Sequence, residues 1–118
     1  MDTESTLQVV DYKSSDGVPV KAGQTITVHY AVALSLDALE ENQWIDSSYD
    51  RKPIRLVLGA GQVLKGVDQG LEGMRVGSTR RLIIPPELGF GERGVPGKVP
   101  PDSVLFFEIY VTGLDSTP

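Results

Sequence analysis

The sequence predicts an α+β fold in which an antiparallel β-sheet of five or six strands wraps around one short α-helix. Three observations support this class: most apolar residues alternate with period two, one segment alone has helical spacing, and strands do not alternate with helices. The chain has 118 residues, of which 40% are hydrophobic and 23% charged, which is enough for one core. We therefore expect one domain over residues 1–118, with residues 1–6 as a flexible N-terminal tail.

Five segments carry the strand pattern, and the second of them is the longest. From Ile26 to Leu36, apolar residues alternate with smaller or more polar ones, which predicts a long strand with one buried face. The last segment repeats the pattern with Leu105, Phe107 and Ile109 on one face. In chain order, the predicted strands are residues 7–12, 25–36, 54–58, 80–84 and 104–114.

One segment breaks this alternation and predicts the helix. Its apolar residues are spaced four, four and three positions apart, as on one face of a helix; they are Val63, Val67, Leu71 and Met74. Gly66, Gly70 and Gly73 interrupt the segment, and each costs about 1 kcal/mol relative to alanine inside a helix. Such a helix must therefore be held by packing against the sheet.

Two further segments have neither pattern. Residues 85–103 are rich in glycine and proline, too long for a turn and too apolar for a plain linker, and this predicts a functional or mobile loop. Residues 36–44 are acidic and end at Trp44, the only tryptophan. They predict either a wide hairpin loop or a helical turn.

Composition excludes much of enzyme chemistry. The chain has no cysteine and one histidine, His29, so thiolate nucleophiles, disulfides, multi-histidine metal sites and most histidine-based triads are excluded. We expect no metal and no cofactor. The formal net charge of −5 argues against a nucleic-acid partner, and no apolar stretch approaches the roughly 18 residues that span a bilayer. The polar, acidic N-terminus predicts a cytoplasmic protein, unless a leader has been removed, and we expect a monomer.

Six motifs occur in a fixed order along the chain. They are VHY at 28–30, DSSYDRKP at 46–53, GQVLKG at 61–66, GLEGMRVG at 70–77, LIIPPELGFGERG at 82–94 and VPPDSVLFFEI at 99–109. Together they resemble the FKBP family of peptidyl-prolyl cis–trans isomerases, the immunophilins that bind macrolides such as tacrolimus and rapamycin. The resemblance runs from about Gly23 to Leu114 and implies the same fold that the periodicity predicts.

The resemblance also implies a site. It assigns catalytic positions to Tyr30, Asp46 and Phe107. It assigns substrate-binding positions to Ile45, Arg51, Ile54, Val63, Leu64, Val67, Phe90 and Val99. Spacing alone is also compatible with plain core roles for Tyr30, Phe107 and Val67, because each lies on an apolar face of its element. His29 faces the opposite side of its strand from Tyr30, and we interpret it as a surface residue.

Several pocket positions depart from the family pattern. The pocket floor, usually tryptophan, is Val67; two common phenylalanines are Ile45 and Ile54; and Phe90 replaces a tyrosine whose hydroxyl donates to ligand carbonyls. We therefore expect rapamycin and tacrolimus to bind with reduced affinity. Two functions stay open. One is an isomerase that accelerates X–Pro rotation during protein folding; the other is a weakly active or inactive binding or chaperone module of the same fold for proline-containing polypeptides.

Overall fold

The computed structural model describes residues 6–115 as one antiparallel sheet with two short helices. Residues 1–5 of the predicted tail lie outside the described residues. The strands are β1 (Gln8–Lys13), β2 (Thr25–Ala33), β3 (Asp46–Ser47), β4 (Ile54–Val57), β5 (Thr79–Ile84) and β6 (Leu105–Leu114). The helices are α1 (Leu36–Glu40) and α2 (Lys65–Leu71), and Pro86–Leu88 form a 3-10 turn. The predicted α+β class and antiparallel sheet are confirmed.

Strands β2 and β6 form the centre of the sheet. The strand order is β1–β5–β6–β2–β3, and β4 also pairs with β2. Because β6 occupies one edge of β2, the other edge is divided: β4 pairs with residues 25–28 and β3 with residues 31–32. The short β3 therefore returns the chain after α1 to the side of β2.

Helix α2 packs closely against β5 because of two of its glycines. A Cβ atom on Gly66 would lie 2.6 Å from the Ile84 side chain, and one on Gly70 would lie 2.5 Å from the Leu82 side chain. The glycines that weaken the isolated helix thus permit its approach to the sheet. Val67 is buried on the same helix, so the predicted apolar stripe faces the core.

Strand β2 is shorter than the sequence predicts, because a helix begins where its last residues are expected. The strand ends at Ala33, and the Ser35 hydroxyl accepts a hydrogen bond from the Ala38 N–H at 3.1 Å, which caps α1. The helical turn is thus the correct alternative for the acidic segment. Leu39 of α1 packs with Ala31 and Ala33, whose side chains face away from α2. Neither helix among the described residues is long and apolar enough to cross a membrane.

Candidate active site

An apolar cleft of about 340 Å³ opens on the α2 side of the sheet. The sheet and the residues before β3 form one wall, α2 and the residues before it form the floor, and the loop between β5 and β6 forms the second wall. The described lining residues are Val28, Tyr30, Val32, Ile45, Asp46, Ile54, Leu56, Val63, Leu64, Val67, Phe90, Val95, Lys98, Val99, Phe107 and Ile109. Among them, Asp46 and Lys98 are the charged ones.

The sheet wall follows from strand alternation and register. Tyr30 lies opposite Ile109 in the pairing of β2 with β6, and Val32 lies opposite Phe107. Directly opposed residues in an antiparallel pair point to the same face, so these side chains form one surface. The Tyr30 and Phe107 ring centroids lie 6.3 Å apart with the rings inclined at 40°, which leaves an aromatic corner beside the floor.

Asp46 forms the polar corner of the cleft. Strand β3 places it opposite Val32, where the Tyr30 hydroxyl donates to Asp46 Oδ2 at 2.6 Å. Its other oxygen, Oδ1, accepts from Arg51 Nη2 and from the Ser47 N–H, both at 2.9 Å. Both carboxylate oxygens therefore accept hydrogen bonds from protein donors, and the Tyr30 hydroxyl proton is oriented toward Oδ2.

Burial, hydrogen bonds and neighbouring charges together set the protonation states of this corner. Burial raises the pKa of the Tyr30 hydroxyl above its usual value, and the hydrogen bond to Asp46 and the charge of that carboxylate raise it further. Burial alone would raise the pKa of Asp46 as well. The hydrogen bonds from Tyr30 and Ser47 and the charges of Arg51 and Lys98 outweigh burial, so the pKa of Asp46 lies below its usual value. At neutral pH, Asp46 is thus an ionised acceptor and Tyr30 a protonated donor.

The floor is aliphatic. Val67, which is 6% exposed, sits in the first turn of α2, and Val63 and Leu64 precede the helix. The Asp68 carboxylate accepts from the Gly59 N–H at 2.9 Å and from the Gly61 N–H at 3.0 Å, which ties the preceding loop to the helix. The floor is therefore held in place from both the sheet side and the loop side.

The loop wall is ordered by backbone hydrogen bonds within the loop. Val95 and Val99 exchange hydrogen bonds of 2.8 Å in both directions, and the Lys98 N–H donates to the Val95 carbonyl at 2.9 Å. The Asp102 N–H donates to the Gly91 carbonyl at 2.9 Å, which ties the end of the loop to its beginning. These bonds give a defined wall to a segment that lacks strand periodicity.

All the predicted site residues except Arg51 line the cleft. Arg51 reaches Asp46 from outside, and it lines an adjoining polar groove with Asp50 and Trp44 instead. The assignment of Arg51 to substrate binding stays a prediction, and its position supports a role through Asp46.

Sequence reasoning did not assign six further lining residues, which are Val28, Val32, Leu56, Val95, Lys98 and Ile109. Four of them share a strand face with a predicted site residue, so the period-two pattern could have identified them. Val95 and Lys98 lie in the irregular loop, where no periodicity applies.

His29 lies on the opposite face from Tyr30, as predicted. Its Nδ1 lies 2.9 Å from the Ser48 hydroxyl oxygen, and its ring stacks on Tyr49 with centroids 5.0 Å apart. Within residues 6–115 there is also no group of three or more histidine, cysteine or acidic residues placed to hold a metal ion. The described cleft thus offers an apolar cavity with one hydrogen-bonded polar corner at Asp46 and one lysine, Lys98, in its loop wall. It is suited to holding a compact apolar ring and excluding water from it.

Comparison with known proteins gives a consistent result. The sequence profile described as FKBP-type peptidyl-prolyl cis-trans isomerase matches residues 17–112. An FK506-binding protein of Neisseria meningitidis serogroup C is 42% identical over 105 residues, which cover 88% of this chain and 92% of that protein. The peptidyl-prolyl cis-trans isomerase FPR2 of Saccharomyces cerevisiae is 46% identical over 95 residues, covering 80% of this chain and 67% of its own. The crystal structure of AtFKBP13 superposes with a TM-score of 0.79 at 38% identity, covering 92% and 93% of the two chains.

Proposed function

From the premise that the chain belongs to the FKBP-type peptidyl-prolyl cis–trans isomerase family, we propose that it catalyses the rotation of X–Pro peptide bonds in proline-containing polypeptides. The observation that carries the proposal is the apolar cleft with a single hydrogen-bonded polar corner. Its substrates would be accessible X–Pro segments of folding chains. The cytoplasmic location, the monomeric state and the single-domain boundary stay predictions of the sequence.

The reaction suits a site without a nucleophile. Rotation about a peptide bond has a barrier of about 18–20 kcal/mol, and uncatalysed X–Pro exchange takes tens of seconds. The planar amide is the more charge-separated form and is favoured by water, whereas the twisted transition state has lost that resonance. A water-excluding apolar cleft therefore binds the transition state better than the ground state and lowers the barrier by differential binding.

The lining residues fit distinct parts of this task. The proline ring would enter between Tyr30 and Phe107 and rest on Val67, where all three side chains present apolar surface. Asp46 would hold the Tyr30 hydroxyl and thereby fix the ring, while Arg51 would hold Asp46. The remaining aliphatic positions, Ile45, Ile54, Val63, Leu64 and Val99, and the aromatic Phe90 would surround the flanking residues.

The same cleft would also bind macrolides, as a second class of ligand. Rapamycin and tacrolimus would occupy it with reduced affinity, because Phe90 lacks a hydroxyl donor and Val67 offers less contact than an indole. These same two residues favour the alternative function, a binding module that captures proline segments without accelerating their rotation. Tyr30, Asp46 and Phe107 favour the enzyme.

The experiment that decides between them is exchange spectroscopy by NMR on capped peptides acetyl-Ala-X-Pro-Phe-amide. The residue X is varied, and the cis–trans exchange rate is measured with and without substoichiometric protein. Accelerated exchange that rapamycin suppresses supports the isomerase. Peptide binding without accelerated exchange supports the binding module. If the protein neither binds the peptides nor accelerates their exchange, both functions are refuted.

A further inference from the structure

The two charged residues of the cleft differ in how they are compensated. Asp46 accepts hydrogen bonds from Tyr30 and Arg51. Lys98 makes no ion pair or side-chain hydrogen bond with any residue between 6 and 115. The uncompensated charge at the cleft is thus positive, although the whole chain carries a net charge of −5.

The backbone of Lys98 is held in a defined place. Its N–H donates to the Val95 carbonyl at 2.9 Å, inside the turn that Val95 and Val99 close with two hydrogen bonds of 2.8 Å. Both valines line the cleft, so the lysine is fixed between two contact residues. Its charge also contributes to lowering the pKa of Asp46, which lines the same cleft.

We propose that Lys98 makes the cleft selective for proline segments with an acidic side chain next to the proline. This inference rests on the proposed function, since it names the substrate class of the same site. A glutamate or aspartate beside a proline held on Val67 would face an unpaired ammonium group, whereas a lysine there would meet a like charge. Lys98 is an exposed residue, so the preference is modest, about threefold between an acidic and a neutral residue.

The test uses two capped peptide series, acetyl-Ala-X-Pro-Phe-amide and acetyl-Ala-Leu-Pro-X-amide, with X as Glu, Gln or Lys. Capping removes the terminal charges that would otherwise mask the effect. Catalysed exchange is measured by NMR, and the dissociation constant of each peptide is measured with isotope-labelled protein. We expect one or both series to rank Glu above Gln above Lys in the wild-type protein, with the differences shrinking in 0.5 M salt.

Two variants at one position and a matched control make the test specific. Lys98→Met keeps the aliphatic stem and should abolish the ranking, and Lys98→Glu should invert it. Lys21→Glu changes the net charge equally at an exposed residue that does not line the cleft, so it should keep the wild-type ranking.

The proposal is overturned if the Glu-to-Lys ratio of both series is the same in wild type and Lys98→Glu. The ratio of dissociation constants gives this answer even if the protein does not accelerate cis–trans exchange in any of the peptides. Absence of catalysis would then refute the proposed isomerase activity, while the affinity ratio would still decide the role of Lys98.

Discussion

Neighbouring residues on the central strands face opposite sides of the sheet, and the two sides differ in chemistry. On β6, Phe107 lines the cleft, whereas Phe106 packs beside the outer cluster, which consists of Ala31, Ala33 and Leu39. On β5, Leu82 is buried in the main core, whereas Arg81 lies on the outer face. One strand therefore serves two surfaces, and its period-two alternation decides which residue serves which.

The outer face is organised by polar contacts. Arg81, whose side chain is 14% exposed, binds Glu108 and Glu40 at 3.1 Å each, and its guanidinium carbon lies 3.9 Å from the Tyr12 ring centroid. Apart from its hydrogen-bonded polar corner and Lys98, the cleft is lined by apolar and aromatic residues. The main core and the candidate site thus share the α2 side, while the outer face contributes weaker, salt-sensitive pairs.

The largest difference between the faces is expected in stability. Leu82→Ala removes a fully buried side chain under α2 and should lower the free energy of unfolding by about 2–5 kcal/mol. Arg81→Met on the outer face should cost about 1 kcal/mol, because its ion pairs are partly exposed. Urea unfolding of both variants measures the two values. An equal or greater loss for Arg81→Met would contradict the comparison.

The next effect concerns the cleft floor. Val67→Trp adds roughly 60 Å² of contact with a bound proline, which at about 25 cal/mol per Å² corresponds to about tenfold in catalysed exchange and rapamycin affinity. Gln69→Trp, at an exposed position on the same helix, is the matched control and should change neither. Overpacking is the rival outcome and would cost about 1–3 kcal/mol in stability. Preserved stability with flat or reduced activity would show that Val67 is not the floor.

A smaller gain is expected at the loop wall. Phe90→Tyr adds a hydroxyl donor to the loop wall at a residue that is 38% exposed. A net gain of about 0.5–1.5 kcal/mol would tighten rapamycin binding by roughly 2- to 12-fold. Phe106→Tyr adds the same hydroxyl on the outer face and should leave the affinity unchanged. Calorimetry measures the rapamycin affinity of both variants. Equal affinities of the two variants would show that Phe90 does not contact the bound macrolide.

The smallest effect is in the pH profile. The folded pKa of Asp46 lies below its ordinary value of 3.8. Its contribution to the free energy of unfolding is therefore complete above pH 3.8 and is lost as the pH falls through the folded pKa. The folded pKa of Tyr30 lies above its ordinary value of 10.0. Its contribution to the free energy of unfolding is therefore complete below pH 10.0 and is lost only as the pH rises through the folded pKa. Because neither group changes its protonation state between pH 5 and 9, the rate of catalysed exchange should vary by less than about twofold over that interval. A bell-shaped profile within that range would contradict the assignment.

Strand alternation accounts for most of what the sequence predicts correctly. It identifies the buried face of β2 and places Tyr30 and Phe107 on surfaces that the register then joins. The helix stripe likewise places Val67 toward the sheet. Gly66 and Gly70 show the limit of local propensity, because they weaken the helix alone but are required for its packing on β5.

The features that sequence reasoning missed or left open depend on tertiary contacts. Helix α1 has five residues, too few to show helical periodicity, and it is held by the Ser35 cap and by Leu39. Lys98 belongs to a loop whose shape is set by its own backbone hydrogen bonds. Arg51 follows β3 in an irregular turn, where side-chain direction does not follow from spacing, so its place in the adjoining polar groove could not be predicted.

The most direct test of the central claim compares Phe107→Leu with Phe106→Leu. Both changes replace a phenylalanine on β6 by the same residue, one facing the cleft and one facing the outer cluster. Urea unfolding confirms that each variant is folded, and exchange spectroscopy on acetyl-Ala-Leu-Pro-Phe-amide measures catalysis. We predict that Phe107→Leu lowers the catalysed rate about tenfold while Phe106→Leu stays within about twofold of wild type. Equal losses, or a greater loss for Phe106→Leu, would contradict the claim that isomerisation occurs in the cleft.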